Sequence, residues 1–250
     1  MVTRDENQVT GMKRQAIYRH LAEYYDLLYP EKDYKKESDK IRKIVKRHKK
    51  TNGNHLLEVA CGTGKHAQFL SHDFSILATD KHAAMLRVAC KNGNGAIFAQ
   101  ADMASLNLRT QFDVILCLFS SIGYVKTVPN LRRTVRNFAR HLKTGGVVLI
   151  DPWRSRAEFK TGTYLTTYDR ADLKIVILAI ATVRGNLSVT DDHYLIAQKN
   201  KKIKYLVDRH ELGLFDNQTT MRAIRDAGLR AMFLKNGLRK NRGLYLGVKK

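Results

Sequence analysis

The sequence predicts an α/β protein, a mostly parallel seven-stranded sheet with an antiparallel sheet inserted late in the chain. Three observations carry this. Short apolar runs alternate with amphipathic stretches from residue 55 to 151. The first run ends in a glycine-rich turn, and several later ones end in an acid. After Trp153 the texture changes to long strand-like runs. Strands alternating with helices at this spacing mean βαβ units, with helices on both faces of the sheet.

In chain order, residues 15–29 carry aromatic and aliphatic residues at helical spacing and stop at Pro30. Residues 34–49 read as a basic helix with Ile41, Ile44 and Val45 on one face. HLLEVA (55–60) reads as a buried strand, and KHAQFL as the following helix. FSILATD (74–80), AIFAQAD (96–102), FDVILCLFS (112–120) and GGVVLID (145–151) are four further strands. Helices at 83–91 and 128–142 separate them. Residues 173–183, 186–198 and 203–215 are the long runs, joined by Arg184-Gly185 and by Lys199–Lys202. Asn217–Ala227 returns to helix, and RAMFLK with RGLYLGVK reads as a closing hairpin. This divides the chain into an N-terminal helical cap (1–50), a Rossmann-like core (51–152), an antiparallel insertion forming a pocket floor (153–215) and a C-terminal helix and hairpin (216–250).

Composition excludes several classes. A chain of 250 residues with 44% hydrophobic residues can bury a core. No apolar run approaches the roughly 18 residues of a membrane span, and the N-terminus lacks a signal peptide's apolar stretch. Cys61, Cys90 and Cys117 are too few for a disulfide framework and too scattered for a zinc site. They read as reduced thiols, so the expected location is cytoplasmic and no metal is expected. The formal net charge is +22. The first 125 residues hold 19 basic and 13 acidic side chains, the rest 26 and 10. Such a field attracts anionic partners.

The chemistry centres on Glu58-Val59-Ala60-Cys61-Gly62-Thr63-Gly64. Glycines let the chain turn sharply and let a ligand approach the backbone. Gly62, Gly64 and Ala67 also fit the loose G-x-G-x-x-G/A dinucleotide pattern. Asp80, 16 residues past Gly64, serves a ribose in either reading. Glu58 would repel a pyrophosphate; it could instead orient the loop or meet an ammonium group. Asp102 can accept a hydrogen bond from an adenine amine while Met103 packs on the ring.

E-x-A-C-G-T-G, an acid after the second strand and A-D-M after the third resemble the class I S-adenosylmethionine-dependent methyltransferases. LLEVACGTGKHAQFL, ADM (101–103), CLFSSIGYV (117–125), FARHLKTGGVVLIDPW (138–153), HYLIA (193–197) and RGLYLG (242–247) sharpen the match. Together they resemble the sugar N,N-dimethyltransferases that make the dimethylamino sugars of macrolide antibiotics, over nearly the whole chain. The resemblance implies S-adenosylmethionine as cofactor and N-methylation of a small-molecule amine, anionic overall if linked to a nucleotide. It implies that Tyr25 and Tyr34 close over the cofactor. Ala60 and Gly62 would sit against its methionine part and Asp80 would bind its ribose, with Glu58 and Gly64 also in the cofactor site. Asp102, Met103 and Leu118 would hold its adenine. Tyr18 and Tyr124 would face the amine, Tyr124 either orienting it or packing the wall, with His193 and then His210 as further candidates. Ser120, Trp153, Arg154 and Arg242 would meet the acceptor, Arg242 as a fork suited to a diphosphate. The chain departs from the family at Arg154, where a second tryptophan is usual, and at Glu211, where an arginine is.

Two other readings are RNA methylation and non-catalytic binding. RKIVKRHKK (42–50) and the net charge would serve RNA phosphates. No RNA-binding module appears, however, and FSSIGY stands where base-aminomethylating enzymes carry N-P-P-Y. The intact glycine, Asp80 and Asp102 set argues against a binding-only relic. A homodimer is compatible with exposed sheet or helix faces.

Overall fold

The computed structural model describes residues 13–92, 95–239 and 241–250. The chain opens with a short strand, β1 (Lys13–Arg14), and two 3-10 turns, Ala16–Tyr18 and Ala22–Leu28. Then follow α1 (Tyr34–His48), β2 (His55–Val59), α2 (Lys65–Leu70), β3 (Ser75–Asp80), α3 (Ala83–Lys91), β4 (Ile97–Gln100) and β5 (Phe112–Cys117). A 3-10 turn at Ser121–Val125 leads into α4 (Val128–His141) and β6 (Leu142–Ile150). Four long strands come next: β7 (Gly162–Arg170), β8 (Leu173–Arg184), β9 (Leu187–Gln198) and β10 (Lys204–Gly213). The chain ends with α5 (Asn217–Asp226), β11 (Leu229–Leu234) and β12 (Leu244–Lys249).

The main sheet has seven strands in the order β4-β3-β2-β5-β6-β12-β11. All its neighbours pair in parallel except β12, which runs antiparallel to both β6 and β11. Every residue of β5 is buried, which is why the central strands read as continuous apolar runs. Side-chain alternation divides these residues between two cores. Val114 and Leu116 join Ile41 of α1, Leu70 of α2 and Leu86 of α3 on one face. Ile115 and Cys117 join Leu131 and Phe138 of α4 and Ile224 of α5 on the other. Each fully buried leucine or phenylalanine contributes about 1.5–3 kcal/mol. The helix ends match their sequence signals: Asp33 caps α1 through Lys36 N–H at 2.8 Å, and Thr127 caps α4 ahead of Pro129.

The second sheet runs β1-β10-β9-β8-β7 and is antiparallel apart from β1. Its inner face, with Ile175, Ile177, Tyr194, Ile196 and Leu206, packs on the Ala16–Tyr25 segment and on Met85 of α3. This sheet therefore roofs the carboxyl ends of β2 and β3. Leu178 and Ile180, on the alternate positions of β8, are exposed on its outer face.

Two expectations need correction. Residues 15–29 form no α-helix. Ala16, Ile17, Leu21, Ala22, Tyr24 and Tyr25 are all buried, and one helical stripe cannot bury side chains facing so many directions. β7 was not foreseen, because eight of its nine residues are exposed and leave no apolar alternation to read. The closing hairpin forms as expected, β11 pairing antiparallel with β12, and the loop between Leu234 and Leu244 carries Arg239 and Arg242. Residues 1–12 of the expected N-terminal cap lie outside the described residues. Among the described residues, no helix is long and apolar enough to cross a membrane.

Candidate active site

A cavity of about 300 Å³ opens at the carboxyl ends of β2 and β3. Its floor is the turn after β2, where Ala60, Gly62 and Gly64 take φ values of 52°, 58° and 72°. Glycine enters this left-handed region freely, whereas Ala60 is held there against its own preference. Asp80, at the end of β3, ties the turn down. Its Oδ2 accepts from Gly62 N–H at 2.9 Å and its Oδ1 from His82 N–H at 2.8 Å. Thr63 donates to Asp26 Oδ1 at 2.7 Å and fastens the turn to the aromatic segment.

Glu58 lines the cavity yet is only 2% exposed. Its Oε1 lies 3.6 Å from His66 Nδ1, and its Oε2 has no hydrogen-bond partner. His66 Nε2 lies 2.8 Å from Glu37 Oε2, which also accepts from Lys32 at 2.6 Å. Burial would raise the Glu37 carboxyl, but His66 and Lys32 hold it down at about 2. Burial would lower the His66 imidazole, but Glu37 and Glu58 together raise it. A buried carboxylate oxygen without a partner, facing a cavity, needs a donor.

The rim beyond β4 carries Asp102, which takes Lys81 at 2.8 Å and Ala104 N–H at 2.9 Å. Burial pushes its carboxyl up, but these donors bring it below the usual value. Met103 lies against Cys117, sulfur to sulfur 3.9 Å. Met103 and Leu118 also line the cavity, as do Tyr25 and Tyr34.

The opposite end is phenolic. Tyr18 and Tyr124 both line the cavity, their hydroxyls 2.8 Å apart. Tyr124 rides on the 3-10 turn behind Phe119 and Ser120, two adjacent non-glycine residues at φ 49° and 65°. Behind it, its hydroxyl meets His210 Nδ1 at 2.8 Å. Burial raises both phenols well above the ordinary value.

His193 does not belong to this set. Strand alternation places Asp192 and Tyr194 of β9 inward and turns His193 to the outer face, where its Nδ1 meets Tyr205 Oη at 2.8 Å. His210, opposite Thr190 in register, is the inward histidine.

The four residues expected to meet an acceptor do not line the 300 Å³ cavity. They gather beside it, around Asp151. Arg239 reaches Asp151 at 2.7 Å and Ser120 Oγ at 3.0 Å, and buried Ser120 donates to Pro152 O at 2.9 Å. Trp153 donates to Ser188 at 2.9 Å, with the Arg242 guanidinium 5.6 Å from its ring. Arg154 is exposed. Burial, with Arg239 and Arg154 nearby, pushes Arg242 down to about 10. Phe119 and Lys32 line both this cavity and a second, of about 800 Å³, which Tyr29 and Arg239 also line. Sequence reasoning missed Arg239, Asp208 and Asp192. The only signal for Arg239 was its place three residues before Arg242.

A family described as a methyltransferase domain matches residues 56–146. The chain is 35% identical, over 91% of its length and 97% of the relative's, to a dTDP-3-amino-3,4,6-trideoxy-alpha-D-glucopyranose N,N-dimethyltransferase of Streptomyces venezuelae. The crystal structure of DesVI from Streptomyces venezuelae superposes with a TM-score of 0.84 at 32% identity, covering 92% of this chain and 98% of that one. CalS10 from Micromonospora echinaspora, an amino pentose methyltransferase solved with bound SAM, shares the fold with a TM-score of 0.79 at 22% identity, covering 92% of this chain and 96% of that one.

Proposed function

We propose, for a chain that belongs to the family of S-adenosylmethionine-dependent sugar N,N-dimethyltransferases, that its acceptor is the amino group of a nucleotide-linked amino sugar, methylated twice. The observation that carries this reading is the near full-length identity with an enzyme named for that reaction. The cavity supports it, with a cofactor-sized floor at one end and two phenols at the other.

The residues present fit the cofactor. The partnerless Glu58 Oε2 is an acceptor suited to an ammonium group. A Cβ on Gly62 would stand 3.4 Å from Met85 Cε, so the bare glycine keeps the floor open. Glu58, Ala60, Gly62 and Gly64 would hold the methionine part, with Tyr25 and Tyr34 over it. Asp80 would take the ribose hydroxyls, and Asp102, Met103 and Leu118 the adenine. When bound, S-adenosylmethionine supplies a methyl activated on a sulfonium; the amine takes it as the carbon–sulfur bond breaks and a neutral thioether leaves. This chain's part is to align the amine, exclude water and keep the nitrogen unprotonated. Alignment alone can supply several powers of ten. Tyr18 and Tyr124 would orient the nitrogen, and Arg242, Arg239 and Trp153 would meet the nucleotide diphosphate. Arg239 is paired with Asp151, but burial together with Arg239 and Arg154 still holds Arg242 at about 10, and a bound anion would offset that.

The test is methylation of a dTDP-linked amino sugar, followed by mass. Gains of 14 and then 28 daltons support the reading. Methylation of RNA but no sugar would replace it with the RNA reading.

A further inference from the structure

Two hydrogen bonds and an ion pair in series lead out of the cavity at its phenolic end. Tyr18 and Tyr124 touch at 2.8 Å, Tyr124 and His210 Nδ1 at 2.8 Å, and His210 Nε2 and Asp208 Oδ2 at 3.1 Å. The direction of the series follows from chemistry. A carboxylate only accepts, so in the neutral imidazole Nε2 carries the proton and Nδ1 accepts from the Tyr124 hydroxyl, whereas in the imidazolium both nitrogens donate. Tyr124 Oη then accepts from Tyr18 and keeps a lone pair toward the cavity.

The far end is built to hold charge. Asp208 is fully buried, its Oδ2 also takes Ile17 N–H at 2.8 Å, and its Oδ1 has no partner. Asp192 of β9 stands 3.7 Å from His210 Nε2. Tyr18 and Tyr124 face His210 from the two 3-10 turns, their rings 5.8 Å and 6.2 Å from the imidazole. Asp191, on the other face of β9, is neutralised by Arg209 at 2.6 Å. Tyr29 and Tyr194 are the next phenols. Among the described residues, the ion pairs of Asp208 and Asp192 are with His210.

We propose that His210, acting through Tyr124, takes the proton from the acceptor's ammonium group before each methyl transfer, with Asp208 and Asp192 holding the imidazolium that results. This rests on the amine reading above. A sugar amine near neutral pH is largely ammonium, and an ammonium nitrogen has no lone pair to offer. In the step, an N–H bond of the ammonium breaks and its proton passes to Tyr124 Oη. The proton already on Tyr124 passes to His210 Nδ1. The products are a neutral amine, a neutral phenol and an imidazolium, so charge is conserved. Each methyl transfer returns the nitrogen to a cation. A second methylation therefore needs a second pass, after the imidazolium has returned its proton through Tyr124 to water in the cavity.

The experiment compares wild type with His210→Gln on a dTDP-linked amino sugar between pH 7 and pH 9.5, with S-adenosylhomocysteine binding as the check on folding. Without the relay the substrate must arrive already neutral. The variant is then about 10²-fold slower at pH 7, and regains nearly all of the deficit at pH 9.5. A loss equal at both pH values, or no loss, overturns the relay. A second readout needs no turnover. Imidazole nitrogen NMR of the wild-type protein, at a pH above the His210 titration, shows the neutral ring protonated at Nε2 and bare at Nδ1, and Asp208→Asn moves that titration to lower pH. A neutral ring with its proton on Nδ1 would overturn the relay whether or not the variant folds. Wild-type protein that methylates no amine would overturn the amine reading, and the relay's role with it.

Discussion

Removing the Asp80 carboxylate should damage the glycine turn and cofactor binding by separable amounts. Its two oxygens accept from Gly62 N–H at 2.9 Å and His82 N–H at 2.8 Å, and the side chain is 6% exposed. A hydrogen bond to a charged group contributes about 1.5–3 kcal/mol. Asp80→Ala loses both, but Gly62 lines the cavity and water can reach its N–H, so the expected loss is about 2–4 kcal/mol. For a chain of this size that lowers the melting temperature by about 4–16 °C. Asp80→Asn keeps one acceptor and should cost about half as much. If Asp80 also takes the ribose hydroxyls, Asp80→Asn weakens S-adenosylhomocysteine binding about 10- to 100-fold. Scanning calorimetry and titration calorimetry on the same samples separate the two effects. Binding unchanged to within about threefold, in a variant whose melting temperature falls as expected, would refute the ribose role while leaving the turn's restraint intact.

Glu37 is held at about 2 by His66 and Lys32 despite burial, so its stabilisation is present above its ordinary value of 4.5 and disappears as pH falls toward 2; Glu37→Gln should flatten the melting temperature over that window. His66 is raised in the folded state, so its stabilisation is complete below pH 6.5 and disappears as pH rises through the folded value; His66→Asn should remove that alkaline slope. At Gly123 a Cβ would meet Leu212 Cδ2 at 2.9 Å and Trp153 Cβ at 3.1 Å. Gly123→Ala should therefore cost about 1–3 kcal/mol, seen as a lower urea midpoint, and should slow turnover by shifting Tyr124. Arg242→Ala should raise KM for a nucleotide-linked amino sugar about tenfold or more while leaving S-adenosylhomocysteine affinity unchanged, and an equal loss of both would speak against a diphosphate contact.

How much of the site was legible depended on how far apart its members lie in the chain. Glu58, Ala60, Gly62 and Gly64 sit within seven residues, and Asp80 and Asp102 each follow a strand run. Parallel βαβ units bring all strand ends to one edge, so reading the strands locates these side chains together. The phenolic end had no such guide. Tyr18, Tyr124, Asp192, Asp208 and His210 come from two 3-10 turns and two strands of another sheet. Choosing between His193 and His210 required the facing of β9 and β10. A shift of one residue reverses every side chain, and here it turns Asp192 in and His193 out.

By itself the sequence determined the seven-stranded order of apolar runs, the glycine turn and the acids after it, because each is written in neighbouring residues through side-chain period and backbone freedom. Only the tertiary structure decided that the 15–29 segment winds as two 3-10 turns under a second sheet. It also decided that the nearly fully exposed β7 closes that sheet's edge, and that Arg239 joins Asp151 while His210 stands behind Tyr124. Those arrangements depend on which face of a strand is buried and on contacts between distant residues, such as Ile17 and Asp208, 191 residues apart. No local pattern records such contacts, because their free energy appears only when the two sheets pack together.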